Sequence, residues 1–242
     1  MKSKRNLAIQ LGIITASILG MGATGISVYL LTPSAIDRRL VPSKLIALDS
    51  AKGQQLLAQS RAKQDYASLF ERFQTQKLRA YCGVASAVMV VNALKTSSPP
   101  LTQDSFFTPA AQRIRSPYMI AFLGMSLEQL AMLLQNHSVR VKTQFASDTS
   151  LEQFRVQVRA NLSNANDYVI VNYDRAALGQ EGGGHISPIA AYHEPSDRIL
   201  IADVSSYKYP SVWVSVSDLW QAMKTTDSTT RRSRGYLIAR RW

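Results

Sequence analysis

The chain has 242 residues, 46% of them hydrophobic and 18% charged. That allows one packed domain with an appendage and excludes a chain dominated by disorder. A single cysteine excludes an internal disulfide, so a core has to hold the fold. The net charge of +12 suits an anionic partner. However, no aromatic-interleaved basic motif or helix-turn-helix pattern points to nucleic acid, and no His/Cys spacing marks a protein zinc site.

Lys2, Lys4 and Arg5 precede an uncharged apolar stretch from Leu7 to Leu31. A basic start before an apolar run has the form of an export signal. The run is nearer the ~20 residues of a spanning helix than the ~7–15 of a cleavable core. Gly20, Gly22 and Gly25 interrupt it, and Ala35 offers a small residue for cleavage. Residues 1–35 are therefore expected to form a signal anchor, with a cleaved signal peptide as the alternative. The positive end stays in the cytoplasm, so the body lies outside it, anchored to the inner membrane or periplasmic after cleavage.

Residues 36–63 read as a polar connector with a short helix near residues 50–60. The catalytic body then spans residues 64–242. YCGVASAVMVVNAL (81–94) is apolar around most of its circumference, as a buried helix is. SLEQLAMLLQNH pairs Ser126 with Gln129 at capping-box spacing, and SLEQFRVQV pairs Ser150 with Gln153. Strand patterns follow: YVIVNY (168–173), HISPIAAYH (185–193), RILIADV (198–204) after the turn signal EPSD, and GYLIAR (235–240). Helices first and an antiparallel sheet after is an α+β order.

Cys82 stands at the start of the apolar helix, where free N–H groups and the dipole favour a thiolate. A buried structural thiol is the alternative. A nucleophile needs a histidine, and there are three. His137 ends a helical stretch and reads as a cap. His193 closes a strand before a proline turn. His185 follows Gly182, Gly183 and Gly184, which let backbone and substrate approach closely. The neighbouring strand carries Asp203, able to hold the imidazole in one tautomer, although a strand-end turn residue is an equal reading of it. Gln76 lies six positions before Cys82 and is a candidate oxyanion donor, with Gln74 as its rival.

FQTQ (73–76), YCGVASAVMVVNAL, GGGHISPIAAYH (182–193), ILIADVSSYKYPSVWVSVSDLWQAM (199–223) and RSRGYLI (232–238) resemble, in order, the catalytic domain of phytochelatin synthases. The resemblance implies a papain-like fold and a glutathione γ-glutamylcysteinyltransferase. The family's Gln, Cys, His and Asp fall on Gln76, Cys82, His185 and Asp203. It further implies that Arg234 binds the substrate carboxylate, that Asp227 meets its ammonium, and that the backbone of Gly183 and Gly184 lines the acyl site. No cofactor is tightly bound in the family. A heavy-metal ion, cadmium or zinc, enters as a thiolate complex of glutathione.

The Cys-rich C-terminal region of eukaryotic members has no counterpart among these residues, since Cys82 is the only cysteine. A short bacterial-type form of this kind is expected to hydrolyse glutathione besides making phytochelatin. The expected partners are glutathione and its metal thiolates, a membrane through the N-terminal segment, and a second copy in a homodimer as an open alternative to a monomer. A papain-like peptidase of other specificity, such as one cutting double-glycine leaders, is the rival enzyme. A non-enzymatic thiol or metal-binding protein is the rival from another class, though one cysteine makes a poor soft-metal site.

Overall fold

The computed structural model describes residues 29–95 and 99–242. The expected signal segment falls largely outside the described residues. Among those described, no helix is long and apolar enough to cross a membrane.

Among the described residues, seven strands form one antiparallel sheet in the order β1-β6-β5-β4-β3-β7-β2. They are β1 (Ile46–Ala47), β2 (Arg140–Phe145), β3 (Asp167–Asp174), β4 (Gly184–His193), β5 (Arg198–Ile201), β6 (Val212–Ser215) and β7 (Gly235–Arg240). The period-2 alternation of each strand splits its side chains between two cores. Tyr168, Ile170, Leu237, Ala239, Leu200 and Trp213 enter one. Val169, Val171, Tyr236, Ile238, Ile199 and Val214 enter the other.

The first core is closed by α3 (Cys82–Leu94), together with α2 (Gln64–Glu71) and α6 (Leu127–Asn136). Helix α3 is buried on nearly every side. That is why its sequence shows no polar face. Ser86 Oγ donates to Ile186 O at 3.1 Å and ties α3 to β4. The second core is closed by α7 (Leu151–Leu162) and α8 (Val216–Lys224). Two shorter helices, α4 (Pro109–Ile114) and α5 (Pro117–Leu123), start on Thr108 and Ser116 caps with proline in the first turn.

At α6 the Ser126–Gln129 capping box is complete, with bonds of 3.2 and 3.0 Å. At α7 only half of it forms. Ser150 Oγ accepts from Gln153 N, while the Gln153 side chain accepts from Thr149 Oγ1 instead. Helix α1 (Ala51–Gln59) starts on Ser50, as its position near residues 50–60 predicts.

The stretch read as a connector is built into the fold. Ile46 pairs with Trp213, Trp213 Nε1 donates to Gly53 O at 3.1 Å, and Leu45, Leu48 and Leu56 are buried. Its polar residues face outward from α1, and this masks the few apolar contacts in the sequence. Strands β1, β2 and β6 lie outside the strand pattern read from the sequence. The run read as 198–204 leaves the sheet after Ile201, where Ala202 N donates to Pro188 O and Asp203 N donates to Ser211 Oγ. That departure turns Asp203 toward the start of β4.

Candidate active site

A cleft of about 670 Å³ is lined by Cys82, His185, Arg234 and Asp227. Cys82 is the first residue of α3, so its thiol shares the end of the helix with N–H groups that have no carbonyl a turn earlier. Gly83 follows it, and a Cβ there would come within 2.6 Å of Met125 Sδ. Cys82 is partly buried. Burial pushes the thiol above its ordinary value. The N–H of Ile186, then the charge of Arg175, partly offset this.

His185 is the second residue of β4, opposite Tyr173 of β3. Its Nε2 lies 3.0 Å from Asp203 Oδ1, which leaves Nδ1 as the ring nitrogen for the thiol. The antiparallel pairing of β4 with β5 brings Asp203 to this position. Asp203 is fully buried. Burial alone would raise its carboxyl, but Arg175 and then His185 outweigh it and hold the group well below the usual carboxylate range. His185 is lowered to about 4, first by burial and then by Arg175.

Gln76 is buried beside this group, and its backbone N–H donates to Val204 O. Its Oε1 accepts from Ser205 Oγ at 2.6 Å, while Ser205 N donates to Asp203 Oδ1 at 2.9 Å. Its Nε2 donates to Leu78 O and Arg79 O, at 2.9 and 2.7 Å. Both amide hydrogens therefore shape the loop before Cys82, and neither is turned toward the thiol. Gln74 donates to Leu101 O, away from the cleft.

The other histidines stand apart. His137 Nε2 pairs with Phe106 O and its ring stacks on Phe106. His193 Nδ1 pairs with Ser196 Oγ at the far end of β4, roughly 25 Å along a strand that rises about 3.3 Å per residue.

Arg234 enters the cleft from the loop before β7. Its Nη1 donates to Asn172 Oδ1 at 3.1 Å and lies 3.4 Å from Asp227 Oδ2. Its Nε donates to Thr225 Oγ1. Asp227 Oδ1 accepts from Thr229 N at 2.8 Å. Both charged groups are buried at the cleft wall. Gly184 borders the cleft. Gly183 faces open space, and its carbonyl accepts from Arg175 N.

Two residues of the site are absent from the sequence reading. Asn172 interrupts the apolar run of β3, and a lone amide inside a buried strand is a signal that a polar partner awaits it. Arg175 directly follows Asp174 at the end of β3, and nothing in its neighbourhood separates it from an exposed turn residue. Among the described residues, no group of three or more His, Cys, Asp or Glu is arranged to hold a metal.

A thiol on the first turn of a buried helix, in one cleft with a histidine from an antiparallel sheet whose Nε2 meets an aspartate just past β5, is the arrangement of a papain-like fold. A family model described as phytochelatin synthase matches residues 36–236, and the chain belongs to that family. It is 34% identical over 218 residues to glutathione gamma-glutamylcysteinyltransferase 1 of Lotus japonicus, covering 86% of this chain and 43% of that one. It is 27% identical over 244 residues to glutathione gamma-glutamylcysteinyltransferase of Schizosaccharomyces pombe, covering 98% and 58%. The chain thus spans about half the length of the curated relatives it matches. Among solved structures, xylellain, a cysteine protease from Xylella fastidiosa, covers 87% of this chain and 97% of its own with a TM-score of 0.45 and 10% identity.

Proposed function

We propose that the protein cleaves the Cys–Gly bond of glutathione and passes the γ-glutamylcysteinyl group to water or to a second glutathione. The observation that carries this reading is the pairing of Arg234 and Asp227 in one cleft with Cys82. A γ-glutamyl end bears a carboxylate and an ammonium on one carbon. A guanidinium takes the first and the Asp227 carboxylate takes the second.

In the first step Cys82 Sγ attacks the carbonyl carbon of the Cys–Gly amide, and its proton passes to His185 Nδ1. The oxyanion meets the N–H groups of the first turn of α3. Gln76 joins them on condition that it releases Leu78 O or Arg79 O when substrate binds. Collapse breaks the C–N bond, the Nδ1 proton goes to the leaving nitrogen, and glycine departs. The second step repeats the attack on the thioester by water or by the amino group of glutathione. His185 takes that proton and returns it to Cys82. Cadmium or zinc enters as the metal thiolate of the acceptor glutathione and is substrate here.

Attachment to the inner membrane, or export, belongs to the same proposal. Its support is the uncharged run from Leu7 to Leu31 behind Lys2, Lys4 and Arg5.

The test is mass spectrometry of products and protein after incubation with glutathione, with and without cadmium. Glycine release with a γ-glutamylcysteinyl adduct on Cys82, both lost in Cys82→Ala, is the expected result. Cleavage of peptides without a γ-glutamyl group, or no glycine from glutathione, overturns it.

A further inference from the structure

The nitrogen His185 Nε2 has two incompatible neighbours. Asp203 Oδ1, at 3.0 Å, only accepts. Arg175 Nη2, at 2.9 Å, only donates. Arg175 Nη2 also reaches Asp203 Oδ1 at 2.7 Å, so one carboxylate oxygen joins the ring and the guanidinium. Arg175 is itself 4% exposed. Its Nη1 donates to Gln180 Oε1 at 2.7 Å, and its backbone holds the loop leading to Gly183. Swinging the guanidinium away would break its bonds to Gln180 and Asp203.

For His185 to take a proton from Cys82, Nδ1 must carry the lone pair and Nε2 the hydrogen. Asp203 selects that tautomer, and the Nη2 hydrogen of Arg175 then turns to Oδ1. A second proton on the ring would place an imidazolium beside a guanidinium, both leaning on one Oδ1. The other groups around His185 do not relieve this. Tyr173 meets the ring edge to face at 5.6 Å, Ser187 Oγ is neutral at 3.0 Å from Nε2, and the Lys208 ammonium adds positive charge. Cys82 becomes an anion only when its proton has already moved.

We propose that Arg175 is a positioning residue whose fixed charge keeps His185 neutral in the resting site and drives the proton taken from Cys82 onward to the leaving nitrogen. An ordinary histidine beside an aspartate would store that proton. Here the imidazolium is short-lived, and the base stays available in acid. The lowered titration of His185, to about 4, agrees with this arrangement. The inference rests on the proposed role of His185 as the base. It is tested on the histidine itself, apart from any substrate.

The experiment is a pH titration of histidine C2-proton resonances, with the His185 signal identified by its loss in His185→Gln. In the wild type the His185 midpoint is expected near pH 4. In Arg175→Gln it is expected to rise by at least about one pH unit, and in Arg175→Lys, which keeps a cation, by less. The acid limb of kcat/KM for glycine release is expected to rise with it. A merely structural Arg175 would lower activity without moving the midpoint. A wild-type midpoint near the ordinary value of about 6.5, or an unmoved midpoint in folded Arg175→Gln, overturns the proposal. Should Arg175→Gln not fold, Arg175→Met takes its place and is read in the same way. Failure to release glycine would count against the proposed activity and leave this titration standing.

Discussion

Gly184 lies so close to Arg234 that a Cβ on it would come within 2.5 Å of Nη1 and 3.0 Å of Cζ. The absence of a side chain at one position is thus what seats a guanidinium at another. Gly184→Ala is expected to displace that group while Asn172 and Asp227 keep their places. KM for glutathione should rise about tenfold or more, roughly 1.4 kcal/mol of lost binding. Steady-state glycine release, with circular dichroism to check folding, measures it, and an unchanged KM counts against Arg234 as the carboxylate anchor.

Cys82 is expected to be a slow thiol in the resting protein. Burial, the largest influence on it, raises its titration, and only the thiolate alkylates. Iodoacetamide should label it more slowly at pH 7 than it labels free cysteine. The rate should climb as pH passes the ordinary thiol range. With one cysteine in the chain, intact mass reports the extent directly.

Asp65 is buried, neither of its carboxylate oxygens has a hydrogen-bond partner, and it is raised to about 8, by burial and then by Asp167. The folded state therefore keeps a proton that the unfolded chain releases at about 4. Stability from the neutral form is complete below that value and is lost as pH rises toward 8. Asp65→Asn cannot ionise. Its melting temperature relative to wild type is expected to improve steadily from pH 5 to pH 8, by an amount worth on the order of a few kcal/mol. A difference that does not change with pH refutes this.

Gly235 opens β7 against Phe145 of β2, and a Cβ there would meet Gln144 O at 2.1 Å. That neighbour is backbone and cannot step aside. Gly235→Ala is expected to cost about 2 kcal/mol or more and to loosen the β2–β7 pairing, read as early amide exchange in residues 140–145.

The apolar helix from Cys82 and the strand over residues 235–240 were legible because each is long, bounded and chemically uniform. Asp203 could be paired with His185 because antiparallel neighbours meet end to end. The bond that does the pairing, however, depends on Asp203 leaving the sheet, and period-2 patterning carries no sign of that. Arg175 was hidden for a different reason. Its burial is created by Asp203 and Gln180, from other parts of the chain, and a charged residue in a turn looks alike whether or not such partners arrive. Gln76 was reached through family likeness, which names a residue type and not the direction of its amide. Here that amide faces the carbonyls of Leu78 and Arg79. Strand β2 alternates Val141, Thr143 and Phe145 with charged and amide residues, but it is short and only Phe145 is buried, so the run looks no different from a polar surface segment.

The nucleophile comes from the helical half of the chain, while its base and the group that orients the base come from the sheet that follows. During synthesis, Cys82 emerges well before His185, Arg175 or Asp203 has left the ribosome. Until the late strands close over α3, the thiol has no proton acceptor and behaves as an ordinary cysteine. The order of the elements thus works as a safeguard in time: a nascent chain lacks the histidine and the aspartate beside the thiol, and the complete site appears only when folding is nearly finished.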